Sequence, residues 1–402
     1  MLRSNATLLL AAASLAGPLA AQDPAAGTAP DAVRQLVAGL DLERYKATIK
    51  GLTAFGDRRQ GTDRNRAAVD WIEAQLKSYG CPTERVRYEY TGRQLRPTDT
   101  TARPVTQAGP PSRPARTAAP VKGNRARTGV NTDPMRQADV RLRELNSQPD
   151  SPGQREQVYC TKVGTVHPGE MYIVSGHMDG HGFGEAANDD ASGTAIVMEL
   201  ARILNAPGVT TDRSVRFILW NNEETGLNGS RAYIEQRQAL QGIESPAGSG
   251  RYPEPRWLGV VQHDMMLFDH GMPRADGTLS PDQRAEADVN VEFAGASKLA
   301  AESQRLAWLF RTANDRYATD YPAAVGDRMS NTDSAPFADL VPAISLRENE
   351  RLAHIGTGWD PHWHQPTDLF RTFSDSDFRL GLNAAQTTLA AIAQLTGARL
   401  AR

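Results

Sequence analysis

Short apolar runs alternate with longer amphipathic stretches through the second half of the chain. VYCTKVG, MYIVSGH, SVRFILW, WLGVVQHDM, VNVEFAG and PAISLRE each read as a strand. Between them TAIVMELARIL, SRAYIEQRQAL and KLAAESQRLAWLFRTANDRYA carry the apolar spacing of helices, and a last helix is predicted from roughly Asp377 to Leu395. Buried strands alternating with helices predict an α/β fold: a mixed, mostly parallel central sheet flanked by helices. Ligands of such folds sit at the carboxyl ends of the strands, so polar residues just after apolar runs are the ones to collect.

Upstream, DAVRQLVAGLDLERYKATIKGLTAF and TDRNRAAVDWIEAQLKSYG read as amphipathic helices, the second capped by Thr62 and ended by Gly80. TERVRYEY follows as a strand. From Arg93 to about Gly153 the chain is rich in Pro, Arg, Thr, Ala and Gln, with few large apolar residues. Such a stretch cannot bury enough apolar surface to offset its ordering entropy, and a mostly irregular, solvated insertion is expected, with a short helix near Met135–Leu145. At the other extreme, MLRSNATLLLAAASLAGPLAAQDP has Arg3, an apolar run and small residues before Gln22, the layout of a secretory signal peptide. The expected organisation is residues 1–21 as signal, 22–92 as N-terminal helices and first strand, 93–153 as insertion, and 154–402 as the remainder of one domain.

Composition removes several classes of partner. Lys plus Arg number 45 against 47 Asp plus Glu, so no global field favours nucleic acid or an anionic membrane. The Arg-rich insertion has no interleaved aromatics to stack on bases. An exported, periplasmic or extracellular protein without stable membrane association is expected. In that setting Cys81 and Cys160 suit a disulfide, with two buried thiols as the alternative.

The strand ends hold the chemistry. IVS runs into Gly176-His177-Met178-Asp179, FILW into Asn221-Asn222-Glu223-Glu224, and GVVQ into His263-Asp264. Asn188-Asp189-Asp190 closes a Gly-rich loop before a helix, and WDPHWHQPTD holds His362, His364 and Asp368. Singly, each reads equally well as a helix cap, a turn charge or a surface imidazole. Together they would crowd one crevice, where unpaired carboxylates repel one another and raise one another's pKa. A divalent cation, or two sharing a carboxylate, removes that penalty, and imidazole with carboxylate leans toward Zn²⁺ over other divalent metals.

These residues resemble the co-catalytic dizinc exopeptidases, family twenty-eight of the metallopeptidases, which includes secreted bacterial aminopeptidases. The matching pieces are the HxD of His177–Asp179, the NDDxSG of Asn188–Gly193, the EExGLxGS of Glu223–Ser230, Asp264-Met265 and the HxPxD of His364–Asp368, in the family's order. The resemblance implies that His177 and Asp264 hold one zinc, Glu224 and His364 the other, and Asp189 bridges them. It implies Glu223 as general base, Asp179 as the acid orienting His177, and a cis peptide after Asp189. Pro366 and Asp368 follow His364 as that pattern requires, which leaves His362 as a surface neighbour; His181 could line the site but reads as a loop residue. Trp363 stands where some relatives carry a Tyr that stabilises the tetrahedral intermediate. The stretch ESPAGSGRYPEPRW is expected as an added loop shaping one cleft wall. The activity implied is hydrolysis of peptides from a free amino end. A carboxypeptidase, using Arg328, Arg347 or Arg351 for the substrate carboxylate, and a single-zinc glutaminyl cyclase are the alternatives.

Overall fold

Two helices, α1 (Ala32–Val37) and α2 (Leu42–Thr53), stand where the apolar pattern predicted one. The break falls at Asp41, whose extended backbone leaves its carboxylate to accept the Arg44 N–H and cap α2. Helix α3 (Asp63–Ser78) is capped by Thr62, and Gly80 follows it with φ +75°. Strand β1 (Thr83–Tyr90) leads to α4 (Val140–Asn146), β2 (Gly153–Lys162) and β3 (His167–His177). Then come α5 (Ala191–Leu204), β4 (Val209–Thr210), β5 (Arg213–Trp220), α6 (Asn228–Arg237) and β6 (Arg256–His263). The chain continues through β7 (Val289–Phe293), α7 (Ala300–Tyr317), β8 (Ala323–Gly326), β9 (Ala343–Arg347), α8 (Asp375–Thr396) and β10 (Arg399–Leu400). This computed structural model describes residues 31–92, 129–269, 289–348 and 360–401. The expected signal peptide and the insertion as far as residue 128 lie outside them. Among the described residues no helix is long and apolar enough to cross a membrane.

The strands form one eight-stranded sheet in the order β1-β2-β5-β3-β6-β9-β7-β8, with β4 and β10 paired separately. Strands β5, β3, β6 and β9 run parallel, and β1, β2 and β7 are antiparallel to their inner neighbours, giving the mixed, mostly parallel sheet that the sequence predicts. Alternation along the strands divides the core. Val174, Phe217 and Val261 join the helical layer of α1, α2, α3, α5, α7 and α8, while Ile173, Ile218 and Val260 pack with Trp220, Tyr233, Trp257 and Phe337 on the other face. Helix α5 is buried along nearly its whole length, Glu199 included. Cys81 and Cys160, with Cα atoms 5.7 Å apart, are joined as a disulfide beside the β1–β2 ladder.

Registry fixes where the polar strand ends fall. His177 pairs with Trp220, Gly176 with His263, and His263 with Leu346, so β3, β5, β6 and β9 end in one row. The residues that follow Trp220, His177, His263 and Arg347 therefore start from a single sheet edge. The loop ESPAGSGRYPEPRW does not reach it. That loop feeds the amino end of β6, and its Tyr252 packs on Gly169 near the start of β3, so the expected cleft wall is on the opposite edge. A connection from a helix into a parallel strand lies at the strand's amino end, which is the physical reason for the difference.

Candidate metal centre

The edge is pinned by one buried carboxylate. Asp190 caps α5 by accepting the Gly193 N–H at 2.8 Å, and it also accepts the N–H groups of His177 at 3.0 Å and Met265 at 3.2 Å. The end of β3, the end of β6 and the start of α5 are thus tied together. Gly176 lets α5 come this close: a Cβ there would fall 2.8 Å from the Gly193 carbonyl carbon and 2.9 Å from the Thr194 nitrogen. The peptide between Asp189 and Asp190 is cis. Asp368 accepts the successive N–H groups of Asn188 at 2.8 Å and Asp189 at 3.1 Å, anchoring that turn to the last loop.

Within this frame imidazoles and carboxylates meet in pairs. Asp189 Oδ1 lies 3.1 Å from His177 Nε2, and its Oδ2 lies 2.9 Å from His364 Nε2. Asp264 turns Oδ1 toward His177 Nε2 at 3.8 Å and gives Oδ2 to the buried Arg347 guanidinium. Glu224 Oε2 lies 2.9 Å from His364 Nε2 and 3.2 Å from His181 Nε2. Two groups result, His177 with Asp189 and Asp264, and His181 with Glu224 and His364, each with its ligand atoms within 4.8 Å of one another.

Burial pushes the Asp190 and Glu223 carboxyls well above the usual range, and lifts Asp179 to about 6 and Asp333 to about 7. Burial also opposes charge on His364, but Glu224 and Asp189 outweigh it and raise the imidazole to about 10. The same burial acts on Glu224, yet His181 and His364 hold it at about 2. So much unbalanced charge in one dry crevice calls for a cation.

The donor set fits zinc. Two ligand atoms on a tetrahedral zinc, each about 2 Å from it, stand roughly 3.3 Å apart, and these pairs span 2.9 to 3.8 Å. His181 Nε2, His364 Nε2 and Glu224 Oε1 are buried without a hydrogen-bond partner among the described residues.

The residues that the motifs single out, His177, Asp179, Asp189, Glu223, Glu224, Asp264 and His364, all lie at this edge, and all are buried except Glu224, which is half-buried. Their contacts differ from expectation at Asp179. His177 Nδ1 meets the Asp179 main-chain carbonyl at 3.0 Å, while the carboxylate stands off at 3.9 Å and accepts the Glu223 N–H at 3.0 Å. The strand has already turned at Asp179, which brings its carbonyl round to the ring. His362 points away, bonding Thr367 Oγ1 at 2.9 Å. Trp363 stacks on His364, ring centroids 3.8 Å apart. Arg328 pairs with its neighbour Asp327, and Arg351 lies outside the described residues.

Sequence reasoning missed three features. His181 carried no signal beyond its residue type. Asp333, fully buried between β8 and β9, lies in no motif that the reading used. Residues 129–146 were expected as solvated insertion, yet they strap the loops that carry His181 and His364. Asn131 donates its N–H to His364 O at 3.0 Å, Gln137 reaches Phe183 O at 2.7 Å and Pro366 O at 3.0 Å, and Asn146 reaches Gly184 O at 2.7 Å. One main-chain N–H and two amide side chains make these ties, and a count of apolar residues cannot register them. From the other side Arg58, fully buried, donates to Met178 O at 2.7 Å and to Glu185 O and Ala186 O at 2.8 Å, bracing the loop that carries His181.

A mostly parallel sheet whose carboxyl edge gathers paired His/carboxylate clusters defines a metal-site α/β protein. The profile of peptidase family M28 matches residues 158–386, and the chain belongs to that family. It is 29% identical over 116 residues to aminopeptidase YwaD of Bacillus subtilis, covering 29% of this chain and 24% of that protein. With carboxypeptidase Q of Xenopus laevis the identity is 37% over 73 residues, 18% of this chain and 16% of that protein. The matches thus span a quarter or less of these curated relatives. The aminopeptidase from Aneurinibacillus sp. strain AM-1 shares the fold with a TM-score of 0.57 at 19% identity, covering 92% of this chain and 97% of that one.

Proposed function

We propose that the chain is an exported dizinc exopeptidase that removes residues from the free amino end of peptides. One observation carries the reading: the two Asp189 oxygens face different imidazoles, His177 at 3.1 Å and His364 at 2.9 Å. A carboxylate so placed suits two cations side by side. His177 and Asp264 would hold one Zn²⁺, Glu224 and His364 the other, and Asp189 both. Bound there, such ions make water acidic and polarise a carbonyl oxygen.

The remaining steps fall to the protein. Glu223 is 8% exposed, and burial favours its protonated form, so it is suited to take a proton from water and pass it to the departing amine as the C–N bond breaks. Asp179 holds the Glu223 main chain in place. An acid-rich surround of Glu223, Asp179 and Asp333 suits a substrate ammonium. The guanidiniums of Arg347 and Arg328 are already paired with Asp264 and Asp327, which disfavours a carboxypeptidase.

The test is a panel of free and N-blocked dipeptides, aminoacyl amides and a Gln-initiated peptide, each assayed with and without a chelator. Hydrolysis confined to free-amine substrates and abolished by chelation is expected. Release of the last residue from N-blocked peptides, or cyclisation of the amino-terminal Gln, would overturn the reading.

A further inference from the structure

The two clusters are not equivalent. At the first, Asp264 has only Oδ1 turned toward His177, because Oδ2 is engaged by Arg347. At the second, His181 adds an imidazole that none of the motif residues supplies. Its Nε2 is buried without a hydrogen-bond partner among the described residues, lies 3.2 Å from Glu224 Oε2, and belongs to a ring set edge-on to His364 with centroids 4.0 Å apart. Edge-on rings whose nitrogens converge on one carboxylate oxygen place lone pairs around a common point. The loop is also made for this placement. Gly180 and Gly182 flank His181, and Gly182 at φ +100° runs so close to the His364 carbonyl that a side chain there would collide with it. Arg58 holds the Met178, Glu185 and Ala186 carbonyls on either side, so the position of His181 is braced at both ends.

We propose that His181 is a further protein ligand of the cation held by Glu224 and His364, so that this position is closed by four protein groups and the His177/Asp264 position by three. The inference rests on the dizinc reading above and deepens it. Four protein ligands make a tightly held, structural type of site, whereas three leave a place for water or substrate. Division of labour follows: the His181 position fills first and holds its ion, and the His177 position fills second and exchanges.

Metal binding tests this without any assay of turnover. The full-length metal-free protein is titrated with Zn²⁺ against a chromophoric chelator, alongside His181→Phe, which keeps a ring against His364 but removes the nitrogen, and His181→Ala. The wild-type protein is expected to take up two ions with separate affinities. Both variants are expected to lose the tighter step by more than about 100-fold, beyond the loss that follows removal of an outer partner of a ligand, with the weaker step unchanged. Two ions in the wild-type protein and a tighter step within about 100-fold of it in His181→Phe would overturn the role of His181 while leaving the dizinc reading intact. Fewer than two ions in the wild-type protein would overturn both.

Discussion

Single side chains at the centre are worked hard, and Glu223 most of all. Its carboxyl is buried beside Glu224, with Asp333 and Asp264 near enough to oppose its charge. None of the described contacts at the two clusters uses its carboxylate, while its neighbour Glu224 faces both His364 and His181. Adjacent residues at a strand end can face different ways, so one can ligate while the other stays available for proton transfer. Glu223→Ala is expected to keep both zinc ions by elemental analysis and to lower kcat by about 10²–10⁴-fold. Loss of metal in the variant would make Glu223 a ligand instead. At this scale the motifs located most of the centre, because ligand chemistry restricts residue type strongly. They said nothing of Arg347, whose pairing with Asp264 arises only when β9 lies beside β6.

Elements place those side chains, and two of their contacts make measurable claims. The close approach of α5 to β3 leaves no room for a side chain at Gly176, where the opposing atoms are backbone and cannot swing aside. Gly176→Ala is expected to cost about 1–3 kcal/mol in urea unfolding and to weaken zinc binding with it, since His177 is the next residue. An unchanged unfolding midpoint would show that the helix shifts freely. Farther out, Glu73 on α3 ties that helix to β1 through Arg85 at 2.6 Å, Thr83 at 3.0 Å and its own Lys77 at 3.1 Å. Burial opposes its charge, but Arg85, Lys77 and Thr83 outweigh it and hold the carboxyl at about 2. With a folded value below the unfolded one, its stabilisation is complete above about pH 4.5 and lost as the pH falls through about 2. Glu73→Gln is therefore expected to unfold up to about 1 kcal/mol more easily at neutral pH, the gap from wild type narrowing as the pH is lowered below about 4.5. A gap that stays constant with pH would leave the contribution to packing alone. Helix caps were readable at this scale, as at Thr62, because capping is a contact between near neighbours. The break between α1 and α2 was missed, since apolar spacing runs straight through it.

For the molecule as a whole, the buried carboxylates are the weak point of the metal-free fold. Asp179, Asp190, Glu223 and Asp333 are all pushed up by burial in the same crevice, which marks a charge the folded chain holds at a cost. Cations that bind only the folded state stabilise it by about 2.7 kcal/mol at a concentration 100 times Kd. Stripping the protein with a chelator should accordingly lower its Tm by several degrees, and added Zn²⁺ should restore it. A Tm indifferent to chelation would place the cations outside the folded core. The Cys81–Cys160 bridge lies at the far side of the sheet, on β2 and beside β1, and is not part of this balance.

Local order along the chain was enough to specify the strands, most helices, the mixed sheet and the residue types that gather at its edge, because each depends on spacing between near neighbours or on the chemistry of a short motif. Contacts between distant loops were not available to it. His181 meets His364, Asn131 meets the His364 carbonyl, and Arg58 meets the loop after β3 only once the sheet has brought those segments to one edge. Such contacts are made by single polar groups with no periodicity, and their energy exists only in the folded chain. The residue types at the centre are thus a property of the linear polymer, and their grouping into two clusters a property of the fold.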